Sequence, residues 1–313
     1  MTHDTSTDFS LSTSYGKSLK RKWRQKLFRK LTKQALPLFL NGRDIISRDP
    51  MANGYYELEI KSLMDHWAKS GHGDFLLDIG ANIGLSSCQS GRGFAEVHLF
   101  EPNPDALHIL KVNTRIALGG HNYRIHEYGL GARSEILKLF IPHGNWGGAF
   151  IKSAQNAYDD QLLSAKDGYR GFDASNYDVA DVRVEPADQV LQSVFQELSQ
   201  RGLRRGVVKI DVEGYESLVI QALLQTIPAS MAVFVIFENW KDATPSQELT
   251  SQSTREVSLF HLSSNVPLAT GFFSRLRQAF SLWREGIVSR LVPVGDRLRQ
   301  GTYVMQVNVE AGA

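Results

Sequence analysis

The stretch from Phe75 to Ser86, FLLDIGANIGLS, restricts the fold more than any other part of this chain. An apolar run ends in an acid, Asp78. A glycine turn follows, Gly80-Ala81-Asn82-Ile83-Gly84, and small residues then open a helix. Strand, tight turn and helix N-terminus in that order begin a nucleotide-binding α/β sheet. The glycine spacing narrows the ligand. A pyrophosphate cradle needs G-x-G-x-x-G or G-x-x-x-x-G-K-[ST], and neither is present. The pattern D-x-G-x-x-x-G suits a ligand with no phosphate lying close over the turn.

Apolar runs and helical spacings alternate through the following residues. Residues 54–70 have helical spacing and lead into the first strand, 75–79. Residues 96–100 are predicted as a second strand, followed by a helix from about Pro104 that carries Leu107, Leu110 and Val112 and stops near Asn113. Residues 123–126, 135–141 and 182–184 read as strands, 206–212 (GVVKIDV) as a buried strand, 215–224 as a helix and 232–237 as a strand. This order predicts an α/β protein with a doubly wound, parallel or mixed sheet. Residues 302–309 alternate as a last antiparallel edge strand. Residues 272–291, with Leu276, Phe280, Trp283 and Ile287, read as an amphipathic, arginine-containing helix. The polar region 152–178 reads as a flexible insertion.

The chain is 42% hydrophobic and 22% charged, enough for a sizeable core. Its net charge of +2 gives no reason to expect a nucleic-acid partner. Locally the balance differs. From Lys17 to Lys33 there are nine Lys or Arg and no acid, while Leu19, Trp23, Leu27, Leu31 and Ala35 recur at i+4. This is a basic amphipathic helix with three open roles. It packs on the domain by that stripe, lies on an anionic membrane through residues 17–36, or binds RNA or another acidic partner. The single cysteine, Cys88, excludes an intramolecular disulfide and thiolate zinc clusters, and its expected role is packing. Residues 1–16 are polar and expected to be disordered, without the apolar core of a secretory signal. No uncharged apolar run approaches the roughly 18 residues of a membrane span. A soluble cytoplasmic protein is expected, peripheral at the membrane if the basic helix acts there.

Candidate site residues follow from the strand ends, where ligands bind in such sheets. Glu101, 21 residues after Gly80, ends the second strand in Glu-Pro-Asn-Pro, and an acid there accepts from ribose hydroxyls. Asp78 bonds the amides of its own turn or reaches the ligand's amino group. Gly80 and Gly84 need backbone freedom and close approach. Asn82 is a ligand contact or a helix N-cap. With Asn103, these form the expected cofactor-binding set. Asp211, Glu213 and Glu238 emerge on the same rim and form the expected catalytic set. Glu213 and Glu216 are equally readable as helix caps. Acids gathered at one edge repel unless a cation, donors or substrate offset them. The nine histidines show no ligand spacing. An oxygen-ligated Mg²⁺ on Asp211, Glu238 or a neighbour such as Asp188 stays open.

S-adenosylmethionine is the common ligand of a phosphate-free turn of this kind. DIGANIGLSS, FEPNPDALHILKVN, VVKIDVEGYESLVIQALL and VIFENW, in this order from Phe75 to Trp240, resemble the FkbM family of S-adenosylmethionine-dependent methyltransferases. The resemblance implies a class I methyltransferase (Rossmann-like) fold and methyl transfer, usually to a hydroxyl of a sugar, polyketide or related small metabolite, including a glycan or lipid-linked glycan. It makes Asp78, Gly80 and Glu101 cofactor contacts and Asp211, Glu213 and Glu238 acceptor-side acids. Gly144–Phe150 resembles the family's loop near the active site. One departure is Pro186-Ala187-Asp188-Gln189, where the family often has a Leu-Asp-Asp run. The domain reading is a tail (1–16), a basic helix and linker (17–53), a methyltransferase core (54–250) and a C-terminal extension with amphipathic helix and final strand (251–313).

Methyl transfer from a sulfonium is an in-line displacement, so the enzyme mainly aligns acceptor oxygen, carbon and sulfur. Asp211 or Glu238 is the expected base, or positions a metal that makes the hydroxyl more acidic. The competing readings are a nicotinamide-binding Rossmann-like enzyme, a non-catalytic membrane-associated scaffold that keeps the fold, and a methyltransferase acting on RNA or protein.

Overall fold

Every residue of Phe75–Ile79 is buried, which puts this strand inside a sheet covered on both faces. The protein is described from a computed structural model over residues 15–31, 33–42, 44–152, 173–240, 244–246, 249, 253, 255–264 and 289–309. The chain begins with α1 (Tyr15–Leu31), α2 (Arg48–Asn53), α3 (Leu58–Trp67), β1 (Phe75–Ile79), α4 (Leu85–Ser90), β2 (Glu96–Phe100), α5 (Pro104–Leu118), β3 (Tyr123–His126), β4 (Gly129–Gly131), β5 (Glu135–Pro142) and β6 (Phe150–Ile151). It continues with β7 (Tyr177–Pro186), α6 (Ala187–Gln200), β8 (Arg205–Ile210), α7 (Glu216–Thr226), β9 (Ala232–Asn239), β10 (Thr244–Pro245), β11 (Val257–Ser264), β12 (Ser289–Pro293), β13 (Arg297–Leu298) and β14 (Gly301–Val307).

The main sheet has eight strands in the order β12-β11-β14-β9-β8-β1-β2-β3. Strands β9, β8, β1, β2 and β3 are parallel. The expected doubly wound sheet is therefore present, mixed because β14 runs antiparallel between β9 and β11. Alternation along β1 sorts the two faces. Phe75, Leu77 and Ile79 pack with Leu191 and Phe195 of α6 and Val219 and Leu223 of α7. Leu76 faces the other way, with Met64 and Trp67 of α3 and Leu110 of α5. A second, four-stranded sheet, β4-β7-β5-β6, comes from the chain between β3 and α6.

Several expectations change. The strand expected as an edge at 302–309 is the interior β14, with β11 and β12 outside it. The segment assigned as a C-terminal extension thus supplies three strands of the main sheet. The helix expected at 272–291 lies outside the described residues up to 288, and residues 289–291 belong to β12. Helix α5 runs past Asn113 to Leu118, because Asn113 is buried and its amide bonds the carbonyls of Phe39 and Ile83 instead of ending the helix. Strand β7 extends far beyond 182–184, its acidic first half stabilised by β5, where Lys138 stands opposite Asp181 and pairs with it at 3.0 Å. The proposed insertion is mostly outside the described residues, and its last residues, 173–178, form a turn and the start of β7. The tail 1–14 is outside them as well.

Helix α1 forms, and of its stripe the described side chains of Trp23 and Leu27 are exposed rather than packed on the domain. The side chains at 20 and 22–30 are exposed, with Trp23 65% and Phe28 65% exposed. Among the described residues no helix is long and apolar enough to cross a membrane.

A buried polar chain crosses the β2–β3 edge. Tyr128 Oη lies 3.0 Å from His126 Nδ1, His126 Nε2 lies 3.0 Å from His98 Nδ1, and His98 Nε2 lies 3.1 Å from Glu96 Oε1. Arg201 completes the chain on the other oxygen of Glu96. Burial, followed by nearby arginines and, for His126, first by His98, lowers both imidazoles to about 4. Neutral rings fit one direction of donation, from Tyr128 to His126 to His98 to the Glu96 carboxylate.

An unfolded imidazole binds its proton near the ordinary 6.5, so as pH falls the unfolded chain is protonated first. This contribution to stability is complete above pH 6.5 and declines between 6.5 and about 4, the folded-state value. Urea denaturation of His126→Gln against the parent protein, from pH 7 to pH 4, is expected to show a shallower acid decline in the variant. Parallel declines would disprove the coupling.

Candidate active site

Strand β1 ends at a turn held to both neighbours. The amides of Gly80 and Ala81 donate to the Phe100 carbonyl, and the Asp211 amide donates to the Ile79 carbonyl. Gly80 takes φ +88°, and a Cβ there would stand 2.0 Å from the Asp211 carbonyl oxygen. Its glycine is thus required by the end of β8. Gly84, at φ +86°, precedes α4, and a Cβ would stand 2.7 Å from Leu110 Cδ1. These contacts bring the carboxyl ends of β1, β2 and β8 to one point.

Above that point is a cavity of about 350 Å³. Its floor holds Gly80, Ala81, Asn82, Glu101, Lys209 and Asp211. The second sheet and its connections cover it, with Trp146-Gly147-Gly148 as a short turn before β6. The cover is tied to the N-terminal segment by the buried Asp44, whose carboxylate accepts from the Trp146 amide at 3.2 Å and the Ile46 amide at 3.3 Å. Glu213 bridges to Phe150 of β6 from the β8 side.

Of the expected cofactor-binding residues, Gly80, Asn82 and Glu101 line the cavity. Glu101 is 7% exposed, and its two oxygens accept from the Asn82 and Asn103 amides, each at 2.7 Å. Burial raises its carboxyl to about 7 against the pull of those two donors. Asn82 sits at φ +49°, a conformation that costs a non-glycine residue energy and turns its amide onto Glu101. The other three lie behind the wall. Asp78 is 1% exposed and accepts from Ser87 Oγ at 2.6 Å, so it fastens α4 beneath the turn. Gly84 is occupied by the packing on Leu110. Asn103 caps α5, its carbonyl oxygen accepting from the Asp105 amide at 3.0 Å.

The three expected catalytic acids, Asp211, Glu213 and Glu238, all line the cavity. The charge of Asp211 is offset by Lys209, which sequence reasoning passed over within KIDVEG. Its ammonium donates to Asp211 Oδ2 at 2.6 Å. Burial works against this charge, but Asp211, Glu57 and Asp78 together hold the lysine well above its ordinary range. Lys209 is thus the built-in cation of the cluster. Among the described residues no group of three or more His, Cys, Asp or Glu gathers in a way that holds a metal ion. Asp188 lies in the first turn of α6 and is absent from the cavity wall. The residues present do not fit the Mg²⁺ site. Cys88 is pushed up to about 12 by burial and by Asp78, which leaves it a packing thiol.

Tyr56 and Glu57 were also missed, since helical spacing over 54–70 hides the break before α3. The helix starts at Leu58, and Glu57 stands before it at φ +43° and ψ +70°. Gln89 holds this bend by bonding both the amide and the carbonyl of Tyr56. Both residues line the cavity. No local pattern marks them, because the bend is set by Gln89 on α4.

The strand order and this site define a class I, Rossmann-like methyltransferase. A family model described as the methyltransferase FkbM domain matches residues 78–263, and the chain belongs to that family. No curated protein matches the chain. Among solved structures it is similar to a putative O-methyltransferase from Klebsiella pneumoniae (9% identity, 94% of this chain and 97% of that one, TM-score 0.39). It is also similar to an O-methyltransferase from Bacillus cereus in complex with SAH (10% identity, 97% of this chain and 94% of that one, TM-score 0.36).

The wall fits S-adenosylmethionine as methyl donor. Glu101 stands at the strand end where ribose hydroxyls are recognised, the buried Oδ1 of Asn82 has no protein partner, and Ile79, Phe100 and Leu130 give an apolar surface for a flat ring. Gly80→Ala is expected to abolish donor binding, since backbone cannot retreat from a 2.0 Å approach. It is also expected to cost roughly 3 kcal/mol or more of stability, as strain at a special φ/ψ. Thermal denaturation and calorimetric titration with S-adenosylmethionine test both effects.

Proposed function

We propose that this methyltransferase acts on a hydroxyl oxygen of a small hydroxylated metabolite, a sugar, polyketide or related glycan unit. The observation that carries this reading is the convergence of Asp211, Glu213 and Glu238 with Glu101 in one covered cavity. Carboxylates accept hydrogen bonds, and a hydroxyl offers the matching donor. Tyr56, Trp146 and Trp240 add aromatic surface of the kind that sugar rings and polyketides pack against. The volume favours a small acceptor over a polymer.

S-adenosylmethionine, when bound, supplies an electrophilic methyl group on a sulfonium. The chain's own contribution is positioning and charge. Glu101 and the Gly80–Asn82 turn hold the donor's nucleoside end. Asp211, whose Oδ2 is engaged by the Lys209 ammonium, orients the acceptor hydroxyl rather than removing its proton. The cover formed by residues 145–151 and Ile45-Ile46 excludes water from the transfer.

Calorimetry is expected to give micromolar affinity for S-adenosylmethionine and for its demethylated product, lost in Glu101→Ala. A screen of methyl glycosides and other hydroxylated compounds with methyl-labelled donor then follows. A folded protein that binds neither ligand would favour the scaffold reading.

We also propose that α1 lies on an anionic membrane surface, bringing the enzyme to a lipid-linked acceptor. Its exposed Trp23, Leu27 and Phe28 stand among lysines and arginines, the pattern of an interfacial helix. Co-sedimentation with vesicles containing phosphatidylserine is expected, weakened by salt and by replacing Lys22, Lys26 and Lys30 with alanine. Equal binding to neutral vesicles, or none to anionic ones, would remove the idea.

A further inference from the structure

We propose that Glu57 is the group that takes the proton from the acceptor hydroxyl during methyl transfer. The inference rests on the O-methylation reading above and assigns its base to a residue outside the stretch that the family model matches.

The carboxylates around the cavity differ in what they touch. Glu101 has each oxygen engaged by a backbone amide. Asp78 gives one oxygen to Ser87 and keeps the other, Oδ1, buried without a partner, but it stands behind the wall and does not line the cavity. Asp211 accepts from the Lys209 ammonium, and a carboxylate paired with a cation is a weak proton acceptor. Glu57 differs. It lines the same cavity, and its Oε2 is buried without a hydrogen-bond partner in the protein. An unmatched carboxylate oxygen in a cavity wall is costly unless a ligand donor meets it.

The backbone supports the same assignment. Glu57 is one of two non-glycine residues with positive φ among those described, and the other is Asn82, across the same cavity. Strain of this kind persists where the surroundings over-determine it. Here Gln89 grips Tyr56 through two hydrogen bonds of 3.0 and 2.7 Å. The Glu57 carboxyl is thereby directed from the α3 side toward the cluster that holds Lys209, Asp211 and Glu238, all of which act on it electrostatically. Burial, countered by Lys209 and reinforced by Asp211 and Glu238, raises this carboxyl to about 7. A general base is most effective when its proton affinity matches the working pH.

The chemistry balances. The acceptor oxygen gains the methyl carbon, the carbon–sulfur bond breaks with its electron pair left on sulfur, and the hydroxyl proton passes to Glu57 Oε2. That proton is released to solvent before the next cycle.

Glu57→Gln keeps shape and hydrogen bonding but cannot accept the proton. Three measurements test it on the full chain. Calorimetric titration with S-adenosylmethionine is expected to differ less than about threefold from the parent, while a loss of tenfold or more would make Glu57 a ligand of the donor's ammonium and overturn the proposal. Infrared difference titration with the donor bound is expected to show a carboxylic acid deprotonating near pH 7 that is missing from the variant. A carboxyl locked ionised by the donor would also overturn it. With methyl-labelled donor and methyl glycosides, turnover in the parent should rise with pH through about 7 and then level, since the ionised form is the base. Glu57→Gln should lose that rise and roughly 100-fold or more in rate, with partial recovery in Glu57→Asp. If the parent binds the donor but methylates no hydroxyl, the acceptor reading fails, and the binding and infrared measurements still decide the place of Glu57.

Discussion

A buried ammonium organises this protein's site. Lys209 sits one residue from the end of β8, 5% exposed, in a position where most parallel strands carry an aliphatic side chain. It allows acids from three separate segments to meet: Glu57 before α3, Asp78 on β1 and Asp211 after β8. Without it their charges would repel in a medium that screens poorly. The pairing also divides the labour. A carboxylate tied to an ammonium orients, and a carboxylate left without a partner is available to a ligand.

The site is built at the point where the strand order reverses, between β1 and β8, and the close packing of Gly80 on the Asp211 carbonyl fixes its floor. The second sheet supplies the cover. Its β5–β7 ribbon carries the 143–149 connection over the floor, and Asp44 and the Glu213–Phe150 bridge fasten that connection from two sides. The candidate donor and acceptor residues therefore line one cavity whose walls come from segments that are far apart in the chain.

The middle of the central sheet is legible in the sequence, since β1, β2 and β8 are mainly apolar and end at an acid or a turn, whereas the outer parallel strand β3 (YRIH) is not. FLLDI, EVHLF and GVVKI cannot be satisfied except by burial on both faces. Elements at the periphery are not legible in the same way. Strand β14 alternates like an edge strand, yet β11 covers it, because the partner is 257–264, a stretch with little apolar contrast. Asn113 resembles a helix stop, but its amide is used in a tertiary contact. The apolar stripe of α1 has the spacing of a packed helix, yet among the described residues Trp23 and Leu27 stay exposed.

The sequence by itself determined the α/β order, the phosphate-free glycine turn, and the set of acids at strand ends, because these depend on neighbours within a few residues. Only the tertiary structure decided which of those acids face a ligand. Asp78 and Asn103 have the right type and position in sequence, but they stand behind the cavity wall, with one oxygen on Ser87 and on the α5 cap respectively. Lys209 and Glu57, unremarkable in one dimension, become decisive because charge and hydrogen-bond balance in a cavity are properties of the whole enclosing wall. That wall is assembled from residues more than 150 positions apart, and no local pattern records it.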